Sequence, residues 1–273
     1  MSADAGTGSP KQRTDNRTRR HAPDWSGRLA ERWRGIGLSL VVVVATVWLG
    51  VTGQLGLYIH PRYFGFTLVM AALGLVFVVA SFVVPAPATG QSRSPRRNTL
   101  ALVGSAVLLT VAAVAVLMVP PATLTSATAT QREVNSGGLD TAEAADQAAT
   151  LVGTGDYERL SVKEWVSLLA QSDDPALYTD KTARVTGFVL PDASDPENVF
   201  YVARFVVTCC AVDAQPIGLP VYQPGWSNSY NTDDWVEVTG FFAANPSATS
   251  TNTLAVQPST IESVDQPSDP YVY

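Results

Sequence analysis

Ala183-Arg-Val-Thr-Gly-Phe-Val-Leu190 and Trp235-Val-Glu-Val-Thr-Gly-Phe-Phe242 share one shape: alternating apolar positions, then Gly-Phe. Period-two alternation marks a strand with one buried face. A glycine inside such a strand marks a bulge or a sharp bend, as at a barrel corner. More strand-like runs lie around them: Val199–Cys209, Gly218–Tyr222, Leu254–Gln257 and Thr260–Val264. One helix precedes them. Ser161-Val-Lys-Glu164 fits a capping box, and Trp165, Val166, Leu168 and Leu169 follow at helical spacing, which predicts a helix over Ser161–Gln171 with Trp165 as a core anchor. Five or six short strands, two of them bent at glycine, predict a small coiled barrel of the OB type, with a β-sandwich as the alternative.

The other half of the chain has a different character. Residues 1–120 carry 12 Lys+Arg against 4 Asp+Glu, whereas residues 121–273 carry 6 against 20. Three runs without Asp, Glu, Lys or Arg, Ile36–Ile59, Phe64–Val84 and Leu100–Val119, are each long enough to cross a bilayer core of about 30 Å. The basic residues cluster before the first run and between the second and third, which places the N-terminus in the cytoplasm and the C-terminal half outside. The expected organisation is a disordered basic cytoplasmic tail (1–35) and three transmembrane helices (36–120). An extracytoplasmic linker (121–156), with a weak helix over Asp140–Leu151, then leads to an OB-like extracytoplasmic domain (157–273). The fold class is thus an α-helical membrane anchor plus a mainly-β domain with one preceding helix. The lipid bilayer is an expected partner. Nucleic acid is not, because the outer half is acidic and phosphates need Lys/Arg partners. No nucleotide loop, nucleophilic triad or paired catalytic carboxylate stands out, and the chain reads as a non-enzyme. The spans hold no ionisable residue to mark an ion path. Gly50, Gly53 and Gly56, three apart, suit a close helix–helix face.

The cysteines carry the chemistry. Cys209 and Cys210 are adjacent and are the only two in the chain. An ordinary bridge wants Cα atoms about 4.4–6.8 Å apart, but neighbours across a trans peptide are about 3.8 Å apart. Three readings stay open. Both thiols, with Asp213 and with His60 from the loop between the first two spans, make a ligand set for a cation such as zinc. Alternatively the pair forms a strained vicinal disulfide outside the cytoplasm. Finally, one or both are small buried residues at a strand end. Strand alternation sends the two side chains to opposite faces unless the backbone bends at Cys210-Ala211. His21 lies on the other side of the membrane from the pair.

Tyr58-Ile-His-Pro-Arg62, Arg204-Phe-Val-Val-Thr-Cys-Cys-Ala-Val-Asp-Ala214, Pro216-Ile-Gly-Leu-Pro-Val221 and Pro270-Tyr-Val-Tyr273 resemble the YcgQ-type family of two-component permease subunits. The resemblance runs from about residue 36 to the end and is most specific at Cys-Cys-x-x-Asp. It implies an accessory subunit of the bacterial envelope that works with a larger polytopic permease, with Zn2+ or a related transition metal as the expected ion. Two rival readings are an envelope thiol–disulfide protein and an OB module for a glycan or peptide, with Trp226 and Tyr230 as its contacts.

Overall fold

The computed structural model describes residues 25–83, 95–118, 123–136, 152, 155, 157–171, 175–179 and 181–273. The tail before Trp25, most of the 86–99 loop, Pro120-Pro121 and the helix expected over Asp140–Leu151 lie outside the described residues.

Three long helices open the chain: α1 (Trp25–Val51), α2 (Phe64–Val83) and α3 (Pro95–Met118). The segment Pro61–Ala80 is long and apolar enough to cross a membrane, and only Ala71 and Val78 in it are buried; Ser39–Val51 and Ala106–Ala115 are shorter apolar stretches. Large apolar side chains such as Val42, Trp48, Phe66, Phe77, Leu108 and Val111 face outward. The apolar run read as Ile36–Ile59 is not one helix. Helix α1 stops at Val51, Gly53 turns the chain at φ 75°, and a 3₁₀ turn follows over Gln54–Leu57. The three glycines therefore do not form one face. A Cβ on Gly50 would meet Leu68 of α2, whereas one on Gly56 would meet the Tyr273 hydroxyl.

The C-terminal half is a mainly-β domain with a preceding helix. A short helix α4 (Ser126–Ala129) lies between the two halves. Helix α5 (Val162–Gln171) carries the expected capping box: the Ser161 amide donates to Glu164 Oε2 at 2.6 Å, and the Glu164 amide donates to Ser161 Oγ at 3.4 Å. After one turn of helix, α6 (Pro175–Tyr178), come β1 (Thr182–Pro191), β2 (Val199–Val206), β3 (Gln215–Tyr222), β4 (Trp235–Ala244), β5 (Leu254–Ser263) and β6 (Tyr271–Val272).

Pairing closes the first five strands into a ring. Strand β1 runs antiparallel to both β4 and β2, β2 antiparallel to β3, β4 antiparallel to β5, and β3 meets β5 in parallel at Val221 and Val256. The two glycines read as corners are where the ring bends. Strand β1 pairs with β4 up to Phe188 and with β2 from Phe188 onward. Gly187 sits at that changeover, where a Cβ would come within 2.5 Å of the Ala203 carbonyl oxygen. In β4 the register shifts between Thr239 and Gly240, opposite Pro258 of β5. Proline has no amide to give the ladder, so a bulge is where a strand tolerates it.

Two apolar layers result. Inside the ring, Phe200, Val202, Ile217, Leu219, Val236, Val238 and Phe242 pack under α5, whose Trp165 ring lies 4.8 Å from that of Phe242. Outside, Phe188, Leu190, Tyr201, Ala203 and Phe205 form a second cluster. Strand β2 is apolar on both faces, which demands cover on both. The cover comes from β6, from Leu57 before α2, and from residues 123–136, expected to be linker. That arm is tied down along its length. Its Leu124 amide donates to the Tyr271 hydroxyl, Ser126 donates its amide and hydroxyl to Asp233, and Ala129 is fully buried. Its Asn135 side chain exchanges two hydrogen bonds with the Gly218 backbone, at 2.9 and 3.0 Å.

Candidate functional site

Strand β2 ends at Val206, and the chain then bends as the cysteine pair requires. Thr208 and Cys209 are exposed, Cys210 is half-buried with extended backbone, and Ala211–Asp213 form one 3₁₀ turn. The bend is organised by Asp213. Its carboxylate accepts the backbone N–H groups of Thr208 at 3.2 Å, Cys209 at 2.8 Å and Cys210 at 3.4 Å. A carboxylate so placed satisfies amides that no strand partner can take.

This brings both sulfurs to one side. Cys209 Sγ and Cys210 Sγ are 3.5 Å apart, both cysteines are free, and the ligand atoms of Cys209, Cys210 and Asp213 all lie within 4.8 Å of one another. The expectation of opposite faces held only for a continuing strand.

The electrostatics keep Cys209 protonated. Hydrogen bonding to Asp213, then to Cys210, with desolvation and the nearby carboxylate adding to it, pushes the Cys209 thiol up to about 12. For Asp213, partial burial works against its charge. The hydrogen bonds from the Cys209 thiol and the three amides outweigh it and hold the carboxyl below its ordinary value. Cys209 is therefore the opposite of an activated thiol, whose value is lowered by positive neighbours. Two sulfurs and a carboxylate converging on one point suit a borderline cation, which would take the proton's place.

His60 is close to this group but plays a different part. Its backbone amide donates to the Cys209 carbonyl at 3.1 Å. Its Nδ1 accepts the Arg62 amide at 3.1 Å and caps the turn Pro61–Tyr63, and its ring meets Tyr273 edge-on at 4.9 Å. Burial first, then Arg62 and Lys163, lower its pKa, with Asp213 opposing. The neutral ring that results accepts at Nδ1 and so carries its proton on Nε2. The Arg62 amide thus already uses Nδ1, and the converging group contains Cys209, Cys210 and Asp213 without His60.

The loop joining α1 and α2 is laid against the cysteine loop in an antiparallel bridge, Ile59 to Cys210. The Ala211 amide donates to the Tyr58 carbonyl at 2.8 Å, and Arg62 Nη2 donates to the Thr208 carbonyl at 2.8 Å. The end of the chain locks the joint. The Tyr273 hydroxyl donates to the Gly56 carbonyl at 3.0 Å, and Lys163 Nζ donates to the Tyr273 carbonyl at 2.7 Å. Burial raises the Tyr273 phenol to about 12, so it stays a donor at any ordinary pH. Tyr273→Phe is expected to cost about 0.5–1.5 kcal/mol, the net worth of one such bond, read as a lowered melting point of the full chain in detergent. Sequence reasoning gave no role to Arg62, Lys163 or Tyr273, and only the unusual wording of Tyr58–Arg62 and Pro270–Tyr273 hinted that those segments mattered.

The aromatic pair expected as glycan or peptide contacts is used inside the domain. Trp226 is buried against Phe200 with its Nε1 donating to the Pro196 carbonyl, and the Tyr230 hydroxyl donates to the Ile261 carbonyl.

Residues 35–135 match the DUF1980 N-terminal domain and residues 144–273 match the DUF1980 C-terminal domain. Curated proteins and solved structures give no match. The first match runs through Asn135 and so includes the arm that covers the β domain. The three helices and arm on one side, and the cysteine-bearing β domain on the other, are the two halves of one family, and the chain belongs to the DUF1980 family.

Proposed function

We propose that this chain is a non-enzymatic, membrane-anchored accessory subunit of a two-component permease, and that Cys209, Cys210 and Asp213 hold a thiophilic divalent cation such as Zn2+. The observation that carries this reading is the convergence of two sulfurs and one carboxylate on an exposed bend. That bend is bound to the loop between the two apolar helices α1 and α2. If those helices and α3 span the bilayer, as the charge bias supports, the site stands at the outer membrane surface. A permease subunit beside the helices would then receive or deliver the ion there. The ring order β1-β2-β3-β5-β4, with its single parallel contact, supports the OB-type reading of the outer domain.

Zinc content of the full chain, purified in detergent under reducing conditions, tests this. We expect stoichiometric zinc in the wild type and loss of zinc in both Cys209→Ser and Cys210→Ser. A wild type that emerges from zinc dialysis empty would remove the metal reading. The 3.5 Å between the sulfurs favours a second reading, a vicinal disulfide. Its mark is a wild-type mass lower by two hydrogens after mild oxidation, restored by reductant, with no zinc bound in either form.

A further inference from the structure

The peptide planes around the two cysteines are each gripped at both edges, by Asp213 on one side and by the α1–α2 loop on the other. In the plane joining residues 208 and 209, the carbonyl takes Arg62 Nη2 and the amide donates to Asp213 Oδ2, both at 2.8 Å. In the next plane, the Cys209 carbonyl takes the His60 amide at 3.1 Å and the Cys210 amide donates to Asp213 Oδ1 at 3.4 Å. In the third, the Cys210 carbonyl takes the Asp213 amide at 3.0 Å and the Ala211 amide donates to Tyr58 at 2.8 Å. A peptide unit is rigid and planar, so a rotation that frees one edge moves the other.

We propose that this triple grip makes the α1–α2 loop a reader of the cysteine pair: filling the site releases or re-aims residues 56–63, and with them the ends of α1 and α2. It rests on the reading of Cys209 and Cys210 as a pair that becomes occupied. A cation on Asp213 competes for the oxygens that hold the three amides. A 209–210 disulfide twists the middle plane directly. Either way the change arrives at His60, Arg62 and Tyr58 through the backbone, with no need for any of their side chains to touch the ligand.

Hydrogen exchange on the full chain in detergent tests the coupling. It is compared in the thiol form, with Zn2+ added, and after diamide, which takes both thiol hydrogens as it is reduced to its hydrazine while the S–S bond forms. Occupancy is read separately, as metal content and as intact mass. The expected result is exchange over residues 56–63 faster by about tenfold or more in an occupied form, while the amides of β1 and β4 keep their protection. Verified occupancy with unchanged exchange at 56–63 overturns the proposal. If neither Zn2+ nor diamide occupies the pair, the functional reading fails on its own, and Asp213→Ala still decides the coupling. It frees the amide edges without any ligand, so it must speed exchange at 56–63, and unchanged exchange there overturns the proposal. Should Asp213→Ala not fold, Asp213→Asn, which keeps one acceptor oxygen, must show the same effect in smaller degree, and exchange equal to wild type counts against it.

Discussion

Trp165→Ala is expected to destabilise the β domain by about 3–5 kcal/mol, the cost of emptying a large aromatic site in a packed core. Trp165 is fully buried, stacks on Tyr157 and lies against Phe242, and so joins α5 to the inside of the ring. None of the five ring strands can close over the gap, because each is paired with a neighbour on both sides. Trp165→Phe separates packing from polarity. The indole Nε1 is buried with no hydrogen-bond partner, so phenylalanine keeps most of the contact while deleting an unpaired donor. Its cost is expected to fall below half that of alanine. Denaturant titration of both variants, followed by the β-sheet signal in circular dichroism, gives the comparison. Near-equal losses would mean that the ring's far edge contributes more than its volume.

Zinc affinity is expected to rise by about tenfold or more for each pH unit between pH 6 and 8, or about a hundredfold across the window, since at least one thiol proton must leave. The sign follows from Cys209. Its thiol is pushed from 9.0 to about 12 by its bond to Asp213, so at pH 6–8 the proton is present and competes with the ion. The same bond steadies the fold at pH below 9.0, and that contribution disappears as pH rises through about 12. Titration calorimetry in buffers of different ionisation enthalpy counts the protons released. An affinity flat from pH 6 to 8 would show that Cys209 does not ligate as a thiolate.

The mainly-β domain and its preceding helix are legible in the chain because their signals are local. Gly187 and Gly240 interrupt alternating runs where strands bend, and Ser161 and Glu164 stand at capping-box spacing before a helical apolar pattern. The cysteine loop is half legible. Adjacency and a carboxylate at the right spacing point to a shared site, but the bend that makes it depends on three amides accepted by Asp213. Two features leave only a faint sequence trace. The α1–α2 loop grips the cysteine loop mainly through backbone groups, which every residue carries. The arm at 123–136 is written in Ala, Thr and Ser, the composition of a linker, and docks because an apolar outer face on β1 and β2 needs cover. The apolar continuity of Val199–Val206 was the available clue, since a strand with one wet face would alternate. His60 is a candidate ligand by residue type alone. Histidine is a common ligand by chemistry, but here a neighbouring amide already uses Nδ1.

The arm also sets where this protein can be cut. A fragment starting at Tyr157 would look like a complete barrel, yet it would strip Ala129, Leu124 and Val134 from the outer cluster and bare Phe188, Leu190 and Tyr201 to water. Such a contiguous apolar patch invites self-association. A soluble fragment for spectroscopy or crystal growth therefore has to begin upstream of Leu124, or carry the arm rejoined from elsewhere.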